Sequence, residues 1–136
     1  MAQVGTIDHF VVPVDDLPVA EEFYERVLGA PIVVRHGLNV RERAKDVPLH
    51  TFVELAGKRI GLFLQTETRP RPASLRGVPS HAFQVTPDQM ERLLGALRER
   101  GVAFEGPVEH AAPYPIATSL YLCDPAGNHL EFCIWR

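Results

Sequence analysis

Two stretches of the chain carry apolar residues three or four positions apart, which is the spacing of an amphipathic helix. The first stripe consists of Ala20, Phe23, Tyr24, Val27 and Leu28, and the second of Met90, Leu93, Leu94 and Leu97. A glycine follows each stripe, Gly29 in the first case and Gly101 in the second, and glycine is the usual residue after a helix. Thr86 and Gln89 have the spacing of a capping box. We therefore predict two helices whose apolar stripes pack in the core.

Around these helices the hydrophobic pattern changes to a period of two, which indicates β-strands. In the first half of the chain the predicted strands cover roughly 31–35, 49–55 and 59–65, and in the second half roughly 102–109, 117–123 and 128–135. A short β-rich run also precedes each helix. Each half is thus predicted to be a βαβββ module, with tight turns at 56–58 and 124–128.

The two halves repeat one another. Residues 6–33 and 80–104 each begin with a strand that carries one histidine and end with a helix closed by glycine. His9 precedes Gly29 by 29 − 9 = 20 positions, and His81 precedes Gly101 by 101 − 81 = 20, so the repeat offset at both landmarks is 81 − 9 = 72. One helix on a small sheet buries too little apolar surface alone, so the halves are expected to pair.

This organisation predicts an α+β fold in a single domain, residues 1–136. Module one covers about 6–65 and module two about 80–135, and together they are expected to form a curved, partly closed mixed β-sheet around a cavity. The segment between them, 66–80, is rich in proline and arginine and is interpreted as an exposed connector rather than a binding loop. The charged segment 36–48 is interpreted as a solvated loop, with a substrate lid as the alternative.

Composition excludes several classes of function. The chain has 136 residues with a formal net charge of −3, so it lacks the basic surface that nucleic acids and anionic membranes require. No apolar run approaches the ~20 residues needed to span a bilayer, and no signal peptide is evident at the N-terminus. Two cysteines do not make a disulfide framework. We expect a cytoplasmic protein that acts on a small molecule.

Three residues are candidates for binding a metal ion. His9 and His81 lie in the first strand of their respective modules, at positions that the repeat makes equivalent. In the last strand, Leu130, Phe132 and Ile134 form the apolar face, which leaves Glu131 on the opposite face inside the sheet. A carboxylate is costly there unless it is paired or bound to a cation. Two imidazoles and one carboxylate match the facial triad that holds divalent first-row metals, whereas the alternative is a salt bridge to an arginine.

The duplicated pattern, together with DHFVVPVDDLPVAEEFYERVLG near the start and YLCDPAGNHLEF near the end, resembles the vicinal oxygen chelate superfamily over nearly the whole chain. This superfamily contains glyoxalase I, bleomycin-resistance proteins, fosfomycin-resistance enzymes, methylmalonyl-CoA epimerases and extradiol dioxygenases. The resemblance implies the glyoxalase-like fold and places His9, His81 and Glu131 on the family's ligand positions. It further implies a homodimer and a divalent ion, Fe2+, Mn2+, Zn2+ or Ni2+.

The sequence also departs from particular branches of this superfamily. Aligning the turns at Gly57 and Gly127 matches Glu131 to Gly61, so the fourth ligand of the glyoxalases and epimerases has no side chain here. The fosfomycin thiol transferases typically have a hydroxyl residue where this chain has Val11, and a basic C-terminal tail. Extradiol dioxygenases also use three ligands and resemble this chain at Tyr121, ten residues (131 − 121) before Glu131.

The leading interpretation is an enzyme that binds a small substrate with neighbouring oxygens by bidentate chelation to the metal ion. Its class, a lyase, isomerase or oxygenase, stays open. Tyr121 is expected to orient the substrate or relay a proton, and His110, in a loop before it, is a candidate acid or base. The alternative is a metal-free protein that sequesters a small molecule, as the bleomycin-resistance proteins do.

Overall fold

The computed structural model describes residues 2–136 and shows two compact units, the first ending at Thr68 and the second spanning Arg69–Arg136. In the first unit the elements are β1 (His9–Val14), α1 (Leu17–Glu22), a π-helical continuation of α1 (Phe23–Val27), β2 (Ile32–His36), α2 (Val40–Ala44), β3 (His50–Leu55) and β4 (Lys58–Leu64). Their strands form a sheet in the order β1-β4-β3-β2, with β1 and β4 parallel and the other pairs antiparallel.

The core of the first unit lies between α1 and one face of this sheet. The buried helix residues are Ala20, Phe23, Tyr24 and Val27, and the buried sheet residues include Val12, Val14, Val53, Ile60 and Leu62. The first helical stripe is therefore in the core, as predicted. Gly29, at a positive φ of 70°, follows the π-helical turn and directs the chain into β2.

A short helix, α2, lies in a segment that the sequence analysis interpreted as a loop. The Asn39 side chain accepts a hydrogen bond from the Glu42 backbone N–H at 2.9 Å and so caps its N-terminus. The helix is only five residues long and buries none of its side chains. Without an apolar stripe, hydrophobic periodicity gives no signal for such a helix.

The second unit repeats the architecture of the first. Its elements are β5 (Ser80–Gln84), α3 (Pro87–Glu99), β6 (Phe104–Glu109), β7 (Ile116–Cys123) and β8 (His129–Trp135). The strand order is β5-β8-β7-β6, again with the first pair parallel. The α+β class and the two βαβββ modules are confirmed, although the sheets are not closed.

The predicted capping box starts α3. The Thr86 hydroxyl accepts from the Gln89 backbone N–H at 3.2 Å, and the Gln89 side chain accepts from the Thr86 backbone N–H at 2.8 Å. The stripe of Met90, Leu93, Leu94 and Leu97 is buried. Of the helices formed by residues 2–136, none is long and apolar enough to cross a membrane.

Candidate functional site

His9 stands at the exposed start of β1. Its side chain is 43% exposed, and its Nδ1 lies 2.7 Å from a carboxylate oxygen of Asp8. This hydrogen bond, with the adjacent imidazole charge, lowers the pKa of Asp8. The ring meets Phe52 edge to face, with a centroid separation of 5.4 Å. A carboxylate on Nδ1 fixes the ring and directs Nε2 away from Asp8, an arrangement also found around metal-binding histidines.

Aromatic rings fill the same face of the first sheet. Gly61 pairs with Val11 on one side and with Phe52 on the other. A Cβ built on Gly61 would stand 2.7 Å from the ring of Phe63 and 3.2 Å from the ring of Phe52. The position that the resemblance matched to the fourth ligand of the glyoxalases is therefore occupied by the rings of neighbouring residues, and only glycine fits there without a shift.

In the second sheet, His81 and Glu131 lie on opposite faces. The register of the parallel pair β5·β8 sets Ser80 beside His129, His81 beside Leu130, and Ala82 beside Glu131. Paired residues in a sheet project on the same side, and successive residues alternate. His81 thus lies on the side of buried Leu130, whereas Glu131 lies on the side of Ala82.

Comparison of the two sheets identifies Ser80, rather than His81, as the residue equivalent to His9. The hairpin glycines differ by 127 − 57 = 70, so Arg59, the partner of His9, corresponds to residue 59 + 70 = 129. The partner of His129 is Ser80. The predicted convergence of His81 with Glu131 is therefore corrected.

The error arose from the length of the connection between strand and helix. His9 precedes the helix N-cap Asp16 by 16 − 9 = 7 residues, whereas Ser80 precedes the N-cap Thr86 by 86 − 80 = 6. The sequence analysis counted from each histidine to the glycine after the helix and obtained 20 positions in both modules. That count does not reveal that the connection before the helix is one residue shorter in the second module. A shift of one residue moves a strand side chain to the other face.

His81 has the environment of a partly buried core side chain. Its Nδ1 atom is buried, and burial lowers the pKa of His81 below its ordinary value of 6.5, an effect that the charge of Asp124 partly offsets. Among residues 2–136, no three or more His, Cys, Asp and Glu side chains are grouped so that they could hold a metal ion. The donor set of the second unit therefore does not fit the predicted ion.

Glu131 and Tyr121 lie side by side in the second sheet. They are direct partners in the pairing of β7 with β8, and both are partly buried. The guanidinium of Arg76 lies 4.1 Å from the centroid of the Tyr121 ring and also pairs with Glu105 at 2.7 Å. Access to Tyr121 on this face is thus restricted by an arginine from the segment that precedes β5.

That segment, residues 69–79, is more than a solvated connector. The Leu75 carbonyl lies 3.2 Å from Nδ1 of His129, which is also 3.4 Å from the Cys123 thiol. A Cβ on Gly77 would come within 2.2 Å of the His129 ring. Most of its side chains are exposed, as expected, but its backbone packs on the sheet. We call residues 69–79 the strap.

His110 is hydrogen-bonded through Nε2 to the Ser119 hydroxyl at 3.0 Å, and Ser119 is fully buried. This contact holds the loop against β7. The predicted acid–base role of His110 stays a prediction. Both cysteines, Cys123 and Cys133, are free thiols.

Sequence reasoning missed two features of these faces. The first is Ser80. Its equivalence to His9 follows when the alignment of the two hairpin turns is extended to the neighbouring strands. The second is the aromatic cluster on β2, β3 and β4, whose members are His36, His50, Phe52 and Phe63. In the sequence, the signal for this cluster is the pair of rings at positions 50 and 52, which share one face of a strand. The pairing of β2 with β3 in the structure adds His36 to them.

Comparison with known proteins agrees with this architecture. The model of the glyoxalase/bleomycin resistance protein/dioxygenase superfamily matches residues 6–132. The chain therefore belongs to this superfamily, whose fold consists of paired βαβββ modules.

Individual relatives are more distant. The virulence protein STM3117 of Salmonella typhimurium is 28% identical over 131 residues, which cover 94% of this chain and 83% of that protein. The protein VPC_CASS1 from the mobile metagenome of V. Pseudocholerae is 29% identical, with a TM-score of 0.68 and coverage of 100% of this chain and 98% of that protein. The fosfomycin resistance protein FosX of Listeria monocytogenes, in a mutant form complexed with Mn(II) and 1S,2S-dihydroxypropylphosphonic acid, is 16% identical with a TM-score of 0.77. The match covers 98% of this chain and 95% of FosX and shows a likeness of fold alone.

Proposed function

We propose that this chain is a small-molecule binding protein of its superfamily that acts without a divalent ion at the predicted ligand positions. The observation that carries this proposal is the register of β5, which sets Ser80 beside His129, where the first unit has His9 beside Arg59. A serine hydroxyl is a poor ligand for first-row divalent ions compared with an imidazole. His81, the residue expected to supply that imidazole, is on the other face.

The aromatic face of the first sheet supports the same function. His9 is exposed and in edge contact with Phe52, whose ring is in turn close to Phe63 at a centroid distance of 6.3 Å. Gly61 leaves room for these rings rather than carrying a ligand. Aromatic side chains with one exposed edge are typical of pockets that bind flat organic molecules. We propose an aromatic small molecule as the partner, and a homodimer as the assembly.

A second candidate function is the metal-dependent enzyme, and two observations favour it. The contact of Asp8 with Nδ1 of His9 is the arrangement by which carboxylates orient histidine ligands, and Glu131 lies beside Tyr121 as an enzyme of this type would require. FosX, which shares the fold, was crystallised with Mn(II). For this candidate the ligands would be His9 and Glu131, without His81.

Metal analysis separates the two functions. Protein purified without added metal, then dialysed against Mn(II), Fe(II), Zn(II) or Ni(II), is expected to retain less than about 0.1 equivalent, because one imidazole and one carboxylate make a weak site. The matched comparison is Glu131→Gln, which keeps the shape of the side chain and removes the charge. Retention of a full equivalent by the wild type, lost in Glu131→Gln, would overturn the proposal and establish the metal-dependent candidate.

A further inference from the structure

A cavity of about 240 Å³ lies in the first unit, where the end of β2 and the start of β3 meet the start of α1. Its apolar wall is formed by Leu17, Pro18, Leu38 and Leu49. For comparison, an engineered apolar cavity of roughly 150 Å³ in another protein is large enough to bind benzene. The cavity is separate from the predicted metal-ligand and catalytic positions, none of which lines it.

The cavity lies on the helix side of the first sheet, opposite the aromatic cluster. Arg35 and Thr51 are direct partners in the pairing of β2 with β3, and both side chains contact Glu21 of α1. The next pair along the same strands is His36 with His50, and both residues border the cavity. Because successive side chains of a strand alternate between faces, their imidazole rings project away from α1. The chemical character of the cavity is therefore set by the other lining side chains.

An ion pair supplies the polar part of the wall, and its two charges compensate one another. Arg35 donates to both carboxylate oxygens of Glu21, at 2.8 and 2.9 Å, and the Thr51 hydroxyl donates to the same carboxylate at 2.6 Å. The hydrogen bonds from Arg35 lower the pKa of Glu21, so the carboxylate is ionised at neutral pH and balances the guanidinium charge. A charged ligand would lose its hydration at this wall without gaining an unpaired counterion.

Two leucines of the wall are exposed at the surface, and local contacts hold their backbone in place. Leu38 is 57% exposed and Leu49 is 36% exposed. Their segments are in close contact, since a Cβ on Gly37 would stand 2.8 Å from the Pro48 carbonyl oxygen and 3.0 Å from the Cα of Leu49. The Leu38 carbonyl also accepts a hydrogen bond from Arg43 at 2.9 Å. The apolar rim is thus positioned in advance, which reduces the entropy lost when a ligand binds.

We propose that this cavity is a binding site for a small, uncharged, apolar molecule of about the size of one six-membered ring. The proposal stands on the leucine and proline wall, the compensated ion pair and the fixed rim. The site lies on the other face of the first sheet from the contact of His9 with Phe52. It therefore goes beyond the proposed function, which concerns the aromatic face, and the two can hold or fail independently.

Three probes built on one ring test the class of ligand: toluene, benzoate and benzylammonium. An NMR titration is expected to show toluene binding at least about tenfold more tightly than either ion, because only toluene enters without losing the hydration of a charge. Toluene should shift the methyl resonances of Leu38 and Leu49, but not those of Val11, which lies beside Gly61 on the aromatic face. Absence of toluene binding, an equal affinity for either ion, or shifts at Val11 in place of the two leucines would each overturn the proposal.

Two matched variants test the place of binding. Leu38 lines the cavity, whereas Val40, two residues on, is 72% exposed and does not line it. Leu38→Trp is expected to fill the cavity and to weaken toluene binding at least about tenfold, whereas Val40→Trp introduces the same side chain without effect. Unchanged toluene binding in Leu38→Trp would refute the site.

A further variant tests the compensation of charge in the wall. Arg35→Met removes the guanidinium and leaves the Glu21 carboxylate with the Thr51 hydroxyl as its donor. Benzylammonium is then expected to bind about tenfold more tightly than to the wild type, because its ammonium group replaces the lost cation, whereas benzoate should not gain. The matched control is Arg26→Met, which removes an exposed arginine that does not line the cavity. Equal affinity of benzylammonium for the wild type and Arg35→Met would overturn the assignment of the ion pair to the wall, and with it the ligand class.

Discussion

Ser80 takes in the second unit the strand position that His9 takes in the first, next to the last strand of the sheet and on the face that carries Glu131. His81, one residue further on, faces the buried side instead. The two units therefore share their topology but not the donor atoms of their first strands. This difference is the reason for proposing the metal-free function, because an imidazole is a good metal ligand and a serine hydroxyl is not.

The placement of His81 predicts how stability depends on pH. Burial lowers its pKa below 6.5, so the unfolded chain takes up a proton at a higher pH than the folded protein. The stability of the folded protein is then fully present above about pH 6.5 and falls as the pH drops through the folded-state pKa of His81. We expect His81→Leu to lose this component of the pH dependence, measured as the change in free energy of unfolding in urea between pH ~8 and pH ~5.

A direct titration provides the control for this prediction. The ring resonances of His81 followed by NMR should report a pKa below 6.5 in the wild type. A His81 ring that titrates at or above that value would show that the side chain is solvated. The assignment of His81 to the buried face would then be wrong.

Gly61 predicts a second measurable effect. Gly61→Ala places a Cβ 2.7 Å from the Phe63 ring, and this overpacking should lower the free energy of unfolding by about 1–3 kcal/mol. Phe63→Leu opens space at the same point. In the Phe63→Leu background, Gly61→Ala should therefore cost less, a coupling that a double-mutant cycle in urea measures directly. Additive effects would mean that the ring moves aside freely.

The sequence was informative where periodicity and capping act locally. The stripes of both helices, the capping box of Thr86 and Gln89 and the βαβββ order all follow from patterns within a few residues of one another. The face of His81 does not, because it depends on the register between β5 and β8, which lie about fifty residues apart in the chain. The cavity of the first unit was missed for a similar reason, since its walls come from three separate segments, 17–21, 35–38 and 49–51.

The capping box itself gives a third prediction. Thr86→Ala removes the acceptor for the Gln89 N–H and should destabilise the protein by about 1 kcal/mol. Thr86→Ser is the matched control, because it keeps the hydroxyl and should stay close to the wild type. Thermal unfolding of the three proteins tests this order. Equal losses in the alanine and serine variants would assign the effect to the threonine methyl group instead.

The contacts of Arg76 predict that it holds the strap, residues 69–79, on the second sheet. Arg76 is 43% exposed, so replacing it with alanine should change the global stability by less than about 1 kcal/mol. Local opening of the strap is expected to become more frequent. The reason is that Arg76→Ala removes the stack on Tyr121 and the ion pair with Glu105 from a segment that has few buried side chains. Amide hydrogen exchange of the strap should accelerate several-fold in Arg76→Ala, while that of α3 stays unchanged.

The control is Arg92→Ala, which removes an exposed arginine on α3. Strap exchange at the wild-type rate in Arg76→Ala would show that the backbone contacts to His129 hold the strap by themselves.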